Sequence, residues 1–524
     1  MNKDYIAKNI HFWLTFVPPP SSYKVLIEEA GSPVIIHPMG IFSIIINQAQ
    51  NLVPVWLRVS TRNFDLVRSY VPSAQEMTLP RLSVLTKIKF VFIALYKTFL
   101  MALTKDVLGF RYDGVKYGDI AYDTYLSKRE VATIRRIDIH MARIVYACIR
   151  RHERIRRVLQ GGNFKAVMVS HQVGIPAGVM LRCALRYGYT GYLRTGHHQS
   201  AFLRFEKVEE VYNYPQKSSP EDVEIIIKTL GDDFEAVYDI IFNREVAGKG
   251  TKDGLFAFSS SSKFYTDRRS FMDDYSLDPQ KKNVFIMLHA FNDFPHSHFR
   301  GMVFRDYYDW FIETLKFAKS FDRVNWIFKQ HPMIRYYVTR DVSFDEAFKD
   351  IPPHIVYIGE DRRIDTRSLI YCADVVITCL GSAGVQLPAW VGIPAIIASD
   401  NHYTNLGFAL EPKDRKEYFD LLANIGQIGR LNEEQQKTAK AACLNIFQFA
   451  RASVSACPLL SGEEEQGPDI DQWYWEKVLA LYEREEKIIK KEIGSYIRTV
   501  AQPGFKRLNC LDQYRELLTP AGLS

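Results

Sequence analysis

Val324-Asn325-Trp326-Ile327-Phe328-Lys329-Gln330-His331-Pro332 is an apolar run that ends in a lysine, with His-Pro close behind. A second run, Asp374 to Thr378, is followed by Cys379-Leu380-Gly381-Ser382-Ala383-Gly384. Gly392-Ile393-Pro394 then leads into Ala395 to Ala398. Short continuous apolar runs of this kind read as buried parallel strands. Each polar or glycine-rich tail therefore sits at a strand's carboxyl end, where open α/β sheets bind ligands. A cation, a histidine, a hydroxyl and glycines on one sheet edge suit a phosphate-bearing ligand. Lys329 supplies point charge and His331 a donor. The turn Gly381-Ser382-Ala383-Gly384 precedes a helical pattern, so its N–H groups can face an anion.

The pattern extends in both directions. Strands are expected at Asn283–Leu288, Asn325–Lys329, Ile355–Ile358, Val375–Thr378 and Ala395–Ala398, with helices between them at Phe304–Ser320, Thr366–Cys372 and Val385–Val391. Tyr307, Tyr308 and Trp310 read as helix packing. Upstream, Lys165–Val169, Gly174–Tyr187 and Tyr189–Leu193 form a strand-loop-helix-strand unit with Ser170-His171 at its edge. Val25–Ile27, Val34–Ile36 and Ile41–Ile46 read as a strand-rich or α/β opening, and Arg129–Gln160 as one long helix without Pro or Gly. The fold class is α/β, with two doubly wound Rossmann-like domains facing a cleft and C-terminal helices at Asn432–Ala450 and Gln472–Ile497. The expected division is an acceptor-side domain over 1–215, an interdomain region over 216–280 that includes the polar run Ser259–Ser262, a nucleotide-binding domain over 281–460 and a helical extension over 461–524.

Seven scattered cysteines with no C-x-x-C pair argue against a zinc site or a disulfide framework and for a reducing compartment. His11–Val17 is too short for a signal peptide and runs into three prolines. Phe90–Leu103 is too short to span a bilayer, and it reads as a domain helix or as an interfacial one. Ten Lys/Arg against three Asp/Glu between Lys128 and Arg157 match the whole net charge of +7. The helix carrying Arg135 to Arg157 is thus a solvated face or a contact for anionic lipid. Nucleic acid is not expected, since no aromatic-interleaved platform or Cys/His finger accompanies the charge.

Residues 283–408 resemble bacterial capsule and surface-polysaccharide glycosyltransferases of the GT-B fold, the Kdo-transferase type above all. The resemblance rests on Lys329-Gln330-His331-Pro332, Thr378 to Gly384, Gly392-Ile393-Pro394 and Asn401-His402-Tyr403 leading to Gly407-Phe408. It implies that His331 and Ser382 bind the donor phosphate, with Lys329, Pro332, Gly381, Ala383 and Gly384 as donor-site candidates beside them. A ribose-binding glutamate often follows the serine loop in such enzymes. Gln386 stands there in this chain, which leaves the donor nucleotide open. The resemblance further implies transfer of a sugar from a nucleotide donor to a glycan or lipid-linked acceptor. CMP-ulosonic acids such as CMP-Kdo are the leading donors, and UDP-sugars come next. No cofactor or metal is required, because helix N-termini and side chains take the phosphate charge. The protein is expected in the cytoplasm, or peripheral on the inner face of its membrane.

The loop Leu288 to His298 is dense in aromatics and histidine, more suited to shaping a sugar pocket than to binding metal. His289, Asn292 and His296 are candidate sugar contacts with Asn401, His402 and Tyr403, and Asp293 is a candidate base. In the first domain His171 is the first choice of catalytic base and Glu29 the second. Two other readings keep the fold: transfer of a polyol phosphate from a CDP-linked donor, or epimerisation of a UDP-sugar. A third is a non-catalytic scaffold held on the membrane through the basic helix.

Overall fold

The computed structural model describes residues 3–16, 21–58, 64–213, 216–247, 262–299, 301–332, 334–359, 364–460 and 470–518. The chain forms two compact α/β units. The first comprises 1–124, 136–215 and 450–510, and the second 125–135, 216–449 and 511–524.

The strands, in chain order, are β1 Lys24–Ile27, β2 Val53–Leu57, β3 Gln75–Met77, β4 Arg111–Tyr112, β5 Val115–Lys116, β6 Phe164–Val169, β7 Thr190–Gly196, β8 Gln199–Phe205, β9 Asn283–Met287, β10 Asn325–Lys329, β11 Ile355–Ile358, β12 Val375–Thr378, β13 Ala395–Ile397 and β14 Ala452–Ser453. The first unit's sheet runs β14-β8-β7-β6-β1-β2-β3. Five of its strands are parallel, and β8 and β14 add an antiparallel edge. The second unit's sheet runs β11-β10-β9-β12-β13 and is wholly parallel. Numbered within each unit, both parallel cores have the order 3-2-1-4-5, the doubly wound arrangement. The strand order reverses between β1 and β6 in the first unit and between β9 and β12 in the second, so each carries a crevice at that point.

The parallel strands are apolar because helices cover both faces. β10 and β12 are buried along their whole length. In the second unit, Tyr307, Trp310, Phe311 and Leu315 pack one face of the sheet, as the spacing of the helix predicts, and Trp310 Nε1 donates to Tyr418 Oη at 3.0 Å.

Three expectations are corrected and one is decided. The opening is α/β rather than strand-rich: Val34–Ile36 and Ile41–Ile46 are parts of one helix, Pro33–Gln50, which buries 13 of its 18 residues. Short apolar runs do not distinguish a buried strand from a buried helix, and only the combined length decides. Gly40 lets this helix approach Tyr70, since a Cβ there would lie 2.6 Å from the ring. The long helix over Arg129–Gln160 is two, Gly118–Arg129 and Ile139–Gln160. Asp138 caps the second by accepting from the N–H of His140 at 2.9 Å and of Met141 at 3.4 Å. Of the intervening residues, 130–135 belong to the second unit, where Arg340 N–H donates to Glu130 O at 2.7 Å and Thr133 Oγ1 to Asp306 Oδ2 at 2.5 Å.

The stretch 216–280 is no linker. Its helices Pro220–Leu230, Phe234–Val246 and Arg268–Asp274 share the second unit's core; residues 248–261, with most of Ser259–Ser262, lie outside the described residues. The C-terminal segment is not a separate extension either. β14 pairs with β8, and helix Ile470–Val500 packs on Pro33–Gln50 within the first unit. All seven cysteines are buried, and none forms a disulfide among the described residues.

The first unit contains a buried ion pair. Arg182 Nη1 and Nη2 donate to Asp119 Oδ1 and Oδ2, each at 2.7 Å, and both side chains are nearly inaccessible. Arg182 Nη1 also donates to Lys116 O at 2.9 Å, and Tyr212 Oη to Asp119 Oδ2 at 3.0 Å. Removing one partner strands the other charge in the core. Asp119→Ala is therefore expected to destabilise the fold by about 3–5 kcal/mol, measured as a lowered urea midpoint.

Candidate active site

In the second unit, β10, β9 and β12 bring their carboxyl ends side by side. Two residues past β9, His289 is buried, and its Nε2 accepts from the backbone N–H of Cys379 at 3.2 Å and of Leu380 at 3.1 Å. Thr378 Oγ1 lies 3.1 Å from the same nitrogen and accepts from Gly381 N–H at 3.1 Å. From the far side, Asn401 Nδ2 donates to Cys379 O at 3.1 Å and Tyr403 Oη to Gly381 O at 2.6 Å. Gly384 N–H also donates to Gly381 O, at 3.1 Å. The loop after β12 is thus held through the N–H groups of Cys379, Leu380 and Gly381 and the carbonyls of Cys379 and Gly381. A Cβ on Gly381 would lie 2.6 Å from Thr378 Oγ1, and one on Gly384 2.2 Å from Tyr403 Oη, so both glycines mark close approaches.

Within this loop, the N–H groups of Ser382 and Ala383 make no hydrogen bond among the described residues. They stand at the start of helix Ala383–Val391, and Ser382 is exposed. Two consecutive free amides at a helix N-terminus form a site for an anionic oxygen. His331, half-buried past the end of β10, has its ring centre 6.4 Å from that of His289. Pro332 follows it in the turn, also half-buried.

The other expected residues of this unit fall into two groups. Lys329 ends β10 and is buried, and Gln386 is buried with its Oε1 accepting from Ser382 Oγ at 3.1 Å. His289, Asn401 and Tyr403, expected as sugar contacts, are instead buried supports of the serine loop. Asn292 is buried too, with Nδ2 donating to Val338 O at 3.0 Å, and so is His296. Asp293 and His402 are half-buried, and His402 meets Phe299 edge to face at 5.0 Å. Among the described residues, no three His, Cys, Asp or Glu side chains converge on a metal-sized site.

In the first unit, the crevice lies between the ends of β1 and β6. Glu28, just past β1, is buried, and its Oε1 accepts from Ser170 N–H at 2.8 Å. Burial raises its pKa to about 7, against the Ser170 hydrogen bonds and the charge of Arg194, which lower it. Glu29, the expected base, has both oxygens taken by Arg151 at 2.5 and 2.6 Å. That pairing holds its carboxyl below the usual range although burial opposes it, so it is a poor proton acceptor. His171 is exposed at the end of β6, with Nδ1 3.4 Å from Thr195 Oγ1. Near this edge, Arg194 and Gln172 are buried, and Arg194 Nε and Gln172 Nε2 have no hydrogen-bond partner among the described residues. Buried donors without partners call for a ligand or water. The sequence reading chose Glu29 over Glu28 because nothing in the chain tells which of two adjacent carboxylates meets Arg151, 122 residues away. Arg194 and Gln172 carried no motif at all.

No protein-family model matches the chain, and no curated protein matches it. Solved structures do. A glycosyltransferase, SnogD from Streptomyces nogalater, matches at 11% identity over 82% of this chain and 95% of that one, with a TM-score of 0.23. UDP-GlcNAc 2-epimerase from Neisseria meningitidis, bound to UDP-GlcNAc, matches at 10% identity over 90% and 99%, TM-score 0.20. The wall teichoic acid polymerase TagF matches at 11% identity over 95% of each chain, TM-score 0.17. Scores this low leave the fold and the site to be read from the chain's own topology and side chains.

Burial, with a smaller push from the charge of His331, lowers the His289 pKa to about 3. The unfolded chain takes up this proton near pH 6.5, whereas the folded chain does not until about pH 3. Stability from the neutral ring is therefore full above about pH 6.5 and lost as pH falls below it, by about 1.4 kcal/mol per unit. His289→Ala is expected to reduce the slope of unfolding free energy against pH by about one proton between pH ~6 and ~4. It should also cost about 2 kcal/mol or more by leaving loop amides unpaired. Urea titrations across pH measure both, and an unchanged slope would contradict the role given to His289.

Proposed function

We propose that the chain is a nucleotide-sugar-dependent glycosyltransferase of surface polysaccharide biosynthesis, with its donor on the second unit and its acceptor on the first. The amides of Ser382 and Ala383, without a hydrogen bond among the described residues, and His331 on the same sheet edge carry this reading. They offer a departing nucleotide two N–H donors and an imidazole, a metal-free way of stabilising phosphate charge. The resemblance of the His331-Pro332 and Ser382 elements to the Kdo-transferase type of capsule enzyme supports a CMP-linked ulosonic acid as donor, with UDP-sugars next.

In this reading Glu28 is the general base, with His171 at the rim for the acceptor. The bond between the donor's anomeric carbon and its phosphate oxygen breaks. An acceptor hydroxyl forms the new C–O bond, its proton passes to the Glu28 carboxylate, and the nucleotide leaves with its charge on the Ser382–Ala383 amides and His331. A carboxylate with a pKa of about 7 is matched to accepting a proton near neutrality. Arg194 and Gln172, with donors to spare, suit an acceptor bearing anionic or hydroxyl groups.

The binding half is tested by thermal shift with CMP, CDP, UDP and GDP, since a ligand specific for the folded state raises Tm. One nucleotide should shift Tm, and His331→Ala should weaken it by about ten- to a hundredfold; no shift with any of the four overturns the reading. A shift with UDP together with turnover of UDP-N-acetylhexosamine alone would indicate an epimerase, and one with CDP alone a polyol phosphate transferase.

The catalytic half is tested with the nucleotide-sugar that binds. Glu28 must be ionised to act, so the rate should fall on the acid side with an apparent pKa of about 7. Glu28→Gln should lower kcat by about a hundredfold or more and abolish that limb, while Glu29→Gln should keep the limb. A limb that survives Glu28→Gln assigns the base elsewhere.

A further inference from the structure

Helix Val84–Thr104 is apolar on two opposite sides. Its buried side is a narrow stripe, Phe90, Ala94, Thr98 and Met101, and the helix packs along Ile139–Gln160 of the same unit. Opposite that stripe, Ile88, Phe92, Leu95, Phe99 and Leu103 follow at spacings of four and three, and every one is exposed, Phe92 to 67% and Leu103 to 65%. The stripe runs most of the length of a 21-residue helix, about 30 Å at the usual rise. Such a continuous apolar face on a folded surface marks a contact.

The charges around this face name the partner. Between Glu76 and Asp106 there is no acidic residue, whereas Arg81, Lys87, Lys89, Lys97 and Lys105 all fall there. Four of these five are exposed and Lys97 is half-buried. At about 100° per residue, Lys89 flanks the exposed stripe, while Lys87 in the first turn lies toward the buried one and Lys105 is the left-handed cap just past the helix. A second copy of the chain docking face to face through this helix would bring two basic segments together with no acidic residue in either to offset them. An anionic bilayer accepts both features, apolar side chains among the acyl chains and lysines at the headgroups. Among the described residues no helix is long and apolar enough to cross a membrane, and this one is fixed by its buried stripe. Arg154 also ties the turn before it, donating to Leu79 O at 2.7 Å and to Pro80 O at 3.0 Å.

We infer that the exposed face of helix Val84–Thr104 seats the protein on an anionic lipid bilayer, with the helix lying in the plane of the interface. The inference is independent of the transferase reading and of any nucleotide.

Flotation of the full chain with vesicles tests it, using equimolar phosphatidylglycerol and phosphatidylcholine in one arm and phosphatidylcholine alone in the other. The protein should float with the anionic vesicles and more weakly with the neutral ones. The double variant Phe92→Glu with Phe99→Glu should keep its Tm, since both side chains are exposed, and should lose partitioning by at least about tenfold. Lys87→Glu with Lys89→Glu should lower flotation with the anionic vesicles alone. Failure of the unaltered chain to float, or equal flotation of the phenylalanine double variant, overturns the inference. So does a dimer in light scattering that this variant dissolves while the unaltered chain ignores vesicles, which would assign the face to a second copy.

Discussion

In both units one interaction fixes the place where a ligand can bind: a side chain just past the first strand accepts the backbone N–H of the loop after the fourth. In the second unit His289 Nε2 holds Cys379 and Leu380, and in the first Glu28 Oε1 holds Ser170. The first and fourth strands are neighbours only because the strand order reverses between them, and the loops above that point have no ladder to join. Amides left there would be buried without partners, which costs about 1–3 kcal/mol each. An acceptor from the first strand removes that cost and fixes the loop, and the residues after the clamp inherit a set position. Ser382 and Ala383 follow His289's partners, and His171 follows Ser170.

The two clamps differ in charge, and the difference separates the chemistry available to each edge. His289 is neutral and takes two amides into its own lone pair, so it adds no negative charge beside Ser382 and Ala383. That edge stays suited to an anion. Glu28 is a carboxylate whose burial brings its pKa close to neutrality, and it accepts one amide through one oxygen. That edge can take up a proton. An asymmetric pair of this kind, built on two sheets of the same strand order, leaves one edge electrostatically suited to an anion and the other able to exchange a proton.

The second unit was largely legible because its sheet is wholly parallel. β10, β11 and β12 fall where the apolar runs place them, and the Gly381–Gly384 turn does open a helix. Fully buried strands must be continuously apolar, and the polar residue after each run marks its edge. The failures share a cause: they depend on partners distant in sequence. Pro33–Gln50 is helical because the first unit's core encloses it from all sides, including helix Ile470–Val500. The unit boundaries were misplaced because 125–135 and 450–510 cross over, and no local composition reports a crossing. At the site, the histidine and the serine loop stood out as motifs, yet the roles of His289, Asn401 and Tyr403 as supports appear only with the backbone atoms they hold.

Charge shows the same limit from another side. The cluster Lys128–Arg157 equals the net charge of the chain and looked like the surface for an anionic partner. Much of it is engaged internally: Arg151 grips Glu29, Arg156 and Arg157 share Glu153, and Arg154 bonds two carbonyls. A cation paired in this way adds little to a long-range field. The sparser lysines of Val84–Thr104 have no carboxylate nearby in sequence and share their helix with a face that nothing in its own unit covers. What attracts a charged surface is the charge left unpaired after folding. Pairing with Glu29 and Glu153 takes part of that charge from the arginine-rich helix, and the lysine-bearing helix packed beside it adds its own.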